Sequence, residues 1–126
     1  YWLWRTTWHD GKAYNIGYGT HQERKVRLYT SDDGKTFTSL VDDLGVKNEY
    51  PNESALGWQD DGTAICLLRC EKPLLAQLGT AAPPYKMWTW KELDQPLGGP
   101  ALLQHESGRW LAAGRIHKPE VHTSLC

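Results

Sequence analysis

Apolar runs broken by short polar turns recur along this chain. "WLWRTTWHDGKAYNIGYG" (2–19), "ESALGWQDDGTAICLLRC" (53–70) and "GPALLQHESGRWLAAGRI" (99–116) share one layout, with Gly11, Gly62 and Gly108 at corresponding places 51 and 46 residues apart. Each reads as strand, tight turn, strand. In the middle stretch both faces of the hairpin are apolar: Ala55, Gly57, Ile65 and Leu67 lie on one side, and Leu56, Trp58, Cys66 and Leu68 on the other. A sheet with one wet face would alternate apolar and polar positions. Two-sided burial is expected where sheets stack face to face, in sandwiches or radially packed blades. A period near 50 residues favours blades. The predicted architecture is all-β, a partial β-propeller of about two and a half antiparallel blades in one domain. Its blades are 1–48, 49–95 and an incomplete 96–126. Helix signals are almost absent, and only "KPLLAQLG" (72–79) predicts a short helical turn.

The turns set the pairing. Each is read as three residues ending in glycine (His9-Asp10-Gly11, Asp60-Asp61-Gly62 and Glu106-Ser107-Gly108), the chemistry of a type I turn whose third residue needs positive φ. If Gln59 pairs with Thr63, then Leu56 faces Cys66, Ala55 faces Leu67 and Glu53 faces Arg69. In the third stretch, His105 opposite Arg109 sets Leu103 against Leu111, Leu102 against Ala112 and Gly99 against Arg115. Arg115 thus repeats the position of Arg69, while Trp2 and Tyr18 hold the same rim in the first hairpin.

A third strand follows each hairpin, in "VRLYTSDDGKTFTSLVDD" (26–43) and "PPYKMWTWKELDQPLG" (83–98), with Phe37 and Trp88 again 51 apart. "SDDGKTF" predicts a polar turn whose Asp side chains bond their own backbone while Phe37 drops into the core. Its counterpart "APPYKMW" lacks those polar residues.

Composition narrows the function classes. The chain has 126 residues, 40% hydrophobic and 23% charged, which fits one soluble globular domain. A net charge of −1 with scattered basic residues removes the footprint of a nucleic-acid partner. No apolar run reaches the roughly 20 residues that span a bilayer, so no membrane role is expected, and the first residues show no targeting signal. Cys66 and Cys70 would lie about 13 Å apart on one extended strand, too far to pair. Cys126 leaves the count odd, and dispersed histidines with no C-x-x-C argue against zinc. No metal and no cofactor is expected. His117 and His122, five residues apart, read as surface residues rather than paired ligands. The 7 Trp suit both core packing and sugar rings, and Trp88 and Trp90 are expected to pack between blades.

Two segments resemble a known family. "SDDGKTF", with Ser31, Asp33, Gly34, Thr36 and Phe37, is similar to the Asp box S-x-D-x-G-x-T-[FW] of sialidases and related BNR-repeat propellers, with one residue fewer between Asp33 and Gly34. Asn52-Glu53-Ser54 followed by a hairpin and Arg69 resembles the sialidase segment in which Glu supports a tyrosine nucleophile and Arg holds the substrate carboxylate. Arg115 resembles a further arginine of that carboxylate-binding triad. The resemblance implies a sialidase-like glycoside hydrolase, with Glu53 in the catalytic set and Arg69 and Arg115 binding a carboxylated sugar. In that family a first arginine and an acid/base aspartate come from earlier blades, and the tyrosine from a later one. No counterparts of these are visible here, so the chain alone is expected to be catalytically incomplete.

The chemistry is coherent. A guanidinium fork holds a carboxylate bidentately and stays charged at any working pH. Sialidases depart from the usual pair of carboxylates by using a tyrosine nucleophile, which a nearby glutamate can polarise. Ser31, Asp33 and Thr36 are read as structural, at the blade end away from the site. Three other readings stay open. A cross-strand Glu–Arg pair also serves any exposed hairpin, for a few tenths to about 1 kcal/mol. The chain could equally be a non-catalytic propeller module that binds glycan or protein, or a homo-oligomer whose copies complete the ring through unpaired strands and apolar faces.

Overall fold

The computed structural model describes residues 1–20, 23–47, 49–116 and 122–125. Among them the fold is all-β, with three antiparallel sheets and no helix. The first sheet runs in the order β1 (Trp2–His9), β2 (Lys12–Tyr18), β3 (Val26–Ser31) and β4 (Thr38–Val41). The second repeats it with β5 (Glu49–Trp58), β6 (Ala64–Lys72), β7 (Gln77–Ala81) and β8 (Thr89–Glu92). The third holds β9 (Gly98–Gln104), β10 (Trp110–Ile116) and β11 (His122–Leu125). The unit is thus four strands where three were expected: in the first sheet the segment 26–43 supplies both β3 and β4, and in the second Gln77–Ala81 forms β7 instead of a helical turn. Pro73 and the pairing of Gln77–Ala81 with β6 leave that segment extended.

Two-sided burial of the middle hairpin is observed. Leu56, Cys66, Leu68 and Cys70 on one face of the second sheet pack with Tyr14, Ile16, Val26 and Leu28 of the first. On the opposite face Leu67 packs with Ala76 and Leu97, and with Leu102, Ala112 and Ile116 of the third sheet. Strand β6 is buried almost continuously because both its faces meet another sheet. Leu67 and Leu68, each fully buried, stabilise the stack by about 2 kcal/mol apiece. The third sheet docks by laying Trp110 on Gly57, where a Cβ would come within 2.6 Å of the indole. Trp88 and Trp90 stack on each other and pack against the core between the first two sheets. Trp90 Nε1 donates to Leu44 O at 2.7 Å, tying the second sheet to the segment that follows the first. Cys66 and Cys70 are free and buried, as core thiols. Cys126 and His117 lie outside the described residues, as does the side chain of His122.

Two hairpins turn as expected. Gly62 and Gly108 have φ of 83° and 78°, and Gln59 pairs with Thr63 and His105 with Arg109. The first is tighter. His9 pairs with Lys12, and Asp10 and Gly11 both sit at positive φ (46° and 73°), a two-residue type I′ turn in place of three residues. Asp tolerates this region, so "HDGK" is compatible with either length.

Past the turns, every first strand carries one irregularity. The pairing slips between Leu3 and Thr6 on β1, between Pro51 and Ser54 on β5, and opposite Ala113 to Arg115 on β9. In each case the first strand of the sheet holds one residue more than its partner, a β-bulge that re-aims side chains locally. Leu56↔Cys66, Ala55↔Leu67, Leu103↔Leu111 and Leu102↔Ala112 pair as expected. Arg115 pairs with Gly98 instead of Gly99, and Glu53 lies within the slip instead of directly facing Arg69.

The turn between β3 and β4 has the expected self-bonded form. Asp33 Oδ1 accepts from Lys35 N–H and Thr36 N–H at 2.8 Å, and Ser31 Oγ accepts from Gly34 N–H at 2.9 Å. The backbone donors of Thr36 and Lys35, with the Ser31 hydroxyl, hold the Asp33 carboxyl down at about 2. Phe37 is half-buried at the edge of the sheet, outside the core into which it was expected to drop.

Candidate functional site

The bulge on β5 is what builds the site. It presents Glu53 across the end of β6 and toward the third sheet. Glu53 Oε2 accepts from Arg69 Nη1 at 2.8 Å and from the Gly99 N–H at 2.8 Å. Its Oε1 lies 4.0 Å from Arg115 Nη2. The three residues singled out in the sequence therefore meet at one end of the strands, and Glu53 connects two sheets. Gly99, at φ 58°, occupies the bulge of β9, and this exposes its N–H to the carboxylate.

Arg69 is held on both sides. Nη1 bonds Glu53, Nη2 lies 3.2 Å from Glu71 Oε1, and Nε is buried without a hydrogen-bond partner. Glu71 Oε1 also accepts from Asn52 Nδ2 at 3.0 Å, and Asn52 Oδ1 accepts from the Glu53 N–H at 2.7 Å. The side chains of Glu53 and Arg69 are only 13% and 20% exposed, whereas that of Arg115 is 51% exposed. Two carboxylates and two guanidinium groups balance, with one of each sign, Glu71 at 44% and Arg115 at 51%, on the exposed side.

Burial pushes the Glu53 carboxyl up, but the hydrogen bonds from Arg69 and Gly99 and the charges of Arg69 and Arg115 outweigh it. The net effect holds Glu53 below the usual carboxylate value, so it is ionised. Tyr18, at the matching rim of the first sheet, is raised by burial and by the charge of Glu53, against the lowering effect of Arg69.

Sequence reasoning missed Glu71 and the Gly99 N–H, and it quoted Asn52 in the Asn52-Glu53-Ser54 segment without giving it a role. Glu71 had a readable signal, since two residues along a strand return to the same face and place it beside Arg69. Asn52 and Gly99 act through bulges, which no residue type announces. Among the described residues no cluster of His, Cys, Asp and Glu suits a metal ion. No described helix is long and apolar enough to cross a membrane.

No protein-family model matches the chain. No curated protein matches its sequence. A solved structure does: a protein of unknown function from Dyadobacter fermentans DSM 18053 superposes with a TM-score of 0.77 at 18% identity, over 95% of this chain and 36% of that one. The likeness is one of fold. The chain spans about a third of the length of that protein.

Proposed function

We propose that the chain is a sector of a sialidase-like β-propeller whose strand-end rim recognises a carboxylated sugar. The observation that carries this is the Glu53 carboxylate, bonded at once by Arg69 of its own sheet and Gly99 of the next, with Arg115 beside it. Arg115 is the cation offered to the ligand carboxylate, and Glu53 and Arg69 form the braced frame beside it. The ring reading is supported by face-to-face stacking of four-stranded units and by the contacts of β5 with both β1 and β9. It is also supported by the neighbour's length: if about two and a half units fill a third of it, about seven fill the whole, within the four-to-eight range of propellers.

Hydrolysis would need groups this chain does not supply. The resemblance places the tyrosine nucleophile and the acid/base aspartate on other blades, so the 126-residue chain is expected to bind without turnover. Titration with N-acetylneuraminic acid and with its methyl ester tests the reading. Binding of the free acid alone, lost in Arg115→Ala, is the expected result. Equal binding of the ester, or turnover of a fluorogenic sialoside that survives Glu53→Gln, overturns it.

One observation favours a second reading, a non-catalytic module that closes its ring with further copies. Leu3 and Trp8 on the outer face of the first sheet and Leu103 and Leu125 on the third are 41%, 55%, 64% and 70% exposed. These are the faces where a fourth sheet would stack. Sedimentation at high concentration decides it, since a clean monomer removes ring closure by association.

A further inference from the structure

One contact recurs where the sheets stack. The residue pair just inside each hairpin's closing pair is Trp8↔Ala13 in the first sheet, Trp58↔Ala64 in the second and Gln104↔Trp110 in the third. Each pair carries one tryptophan, on one strand or the other. Trp58 lies over the first sheet, its ring centroid 4.5 Å from that of His9 and 5.2 Å from that of Tyr14. Trp110 lies over Gly57 of the second sheet. Both rings face the sheet that precedes their own. Both also seat on the next pair along from the turn, Thr7↔Tyr14 for Trp58 and Gly57↔Ile65 for Trp110.

Trp8 holds the same place on the first sheet without a seat of this kind. Tyr14 and Ile16 face the second sheet, so Ala13, and Trp8 opposite it, face the other way. There Trp8 lies on Gly34 of its own sheet, where a Cβ would come within 2.8 Å of the indole, and it stays 55% exposed. Leu3, opposite Gly17, is exposed on the same face.

The third sheet carries a seat without a tryptophan. Leu102, Ala112 and Ile116 face the second sheet, so Ala101, Leu103, Leu111, Ala113 and Leu125 face away from it. This outer face repeats the face of the second sheet that packs on the third. Ala101↔Ala113 stands where Ala55↔Leu67 does, and Leu103↔Leu111 where Gly57↔Ile65 does. Ala55, Ile65 and Leu67 are buried, whereas Leu103 and Leu125 are 64% and 70% exposed. The established interface thus has its two halves repeated, unpartnered, at opposite ends of the stack.

We propose that the first-sheet face of one copy of this chain docks on the third-sheet face of a second, with Trp8 seated on Leu103 and Leu111. This rests on the ring-closing reading given above and adds to it the contact, its direction and the number of copies. Two copies supply six sheets, within the four-to-eight range of propellers, and three would supply nine. The two contacts of a two-copy ring are alike, each joining a first sheet to a third.

Sedimentation equilibrium of the 126-residue chain tests this, and the expected result is the mass of two chains. Trp8→Glu and Leu103→Lys each put an unpaired charge into both contacts and should raise the dissociation constant about a hundredfold or more. Both side chains are more than half exposed, so the fold should hold, as an unchanged circular dichroism spectrum would verify. Mixed in equal amounts, the two variants should form the dimer again, since one contact is then unaltered and the other sets Glu against Lys. A monomeric parent chain overturns this inference and the ring-closing reading together. A dimer lost in only one variant joins like face to like face, and one kept in both uses another surface; either result overturns the inference, as does a mixture that stays monomeric. An assembly larger than two that both variants break overturns the count of two and leaves ring closure standing.

Discussion

Arg69 and Arg115 occupy matching places at the ends of the second strands of their sheets, yet their charges are used differently. Arg69 is gripped by Glu53 and Glu71 and is 20% exposed. Among the described residues Arg115 reaches only Glu53, at 4.0 Å, and it is 51% exposed. The extra residue on β5 accounts for the contrast, because it swings Glu53 over Arg69 and leaves the third sheet to contribute a backbone N–H and one outlying guanidinium. A repeated position is therefore not a repeated role. The first cation is consumed by the fold, and the second stays largely exposed.

The largest expected effect follows from that division. Arg69→Ala leaves Glu53 nearly buried with, among the described residues, only the Gly99 N–H as a close donor. Breaking a fully buried pair costs about 3–5 kcal/mol and an exposed one about 1 kcal/mol or less, so a part-buried network should lose about 2–3 kcal/mol. Urea unfolding measures it. A loss no greater than that of Arg115→Ala would erase the distinction between the two arginines. Glu53→Gln keeps an acceptor for Arg69 and Gly99 while removing the charge, and should cost less, about 1–2 kcal/mol, by the same measurement.

Acid sharpens the comparison. Glu53 has its folded value below its ordinary one of 4.5, so its contribution is fully present above that value and is lost as pH falls through the folded one. Stability should decline below about pH 4.5, and Glu53→Gln should flatten that part of the profile. Asp33 follows the same sign in a lower window, from 3.8 toward about 2, since its carboxylate is held by Thr36, Lys35 and Ser31. Asp33→Asn should therefore remove the lower part of the acid loss and leave the upper part, when thermal melting is followed against pH. Loss of both parts in either single variant would mean that the two ends of the strands titrate as one.

Much of this arrangement can be read from residue types, and the remainder has a common cause. Gly62 and Gly108 announce their turns because the turns need positive φ, and two-sided apolar strands announce stacked sheets. The "SDDGKTF" turn is legible because Asp and Ser bond their own backbone. What is hidden is set by backbone alone. Asp10 can take the left-handed region, so "HDGK" conceals a shorter turn. The three bulges carry no shared residue, so a ladder extrapolated from the turns runs one residue out at the rim. That error misplaces Gly99 opposite Arg115 and omits the N–H that completes the grip on Glu53. The charged side chains still meet because each is long enough to absorb the slip. Sequence reasoning thus finds Glu53, Arg69 and Arg115, and misses both Glu71 and which of the charges is fixed.

The smallest expected effect on stability is the most informative about the rim. Arg115→Ala removes an exposed side chain whose one ion contact is at the limit of a salt bridge, so unfolding should shift by no more than about 0.5 kcal/mol. Its effect on ligand is the reverse. If Arg115 is the cation that meets a carboxylate, the variant should lose about tenfold or more in affinity for N-acetylneuraminic acid, about 1.4 kcal/mol or more of binding free energy. Arg115→Lys should recover part of this, because it restores the charge without the planar fork. A variant that unfolds like the parent and binds like the parent would leave Arg115 as a solvated rim charge, and the cluster of Glu53, Arg69 and Glu71 as a brace between two sheets.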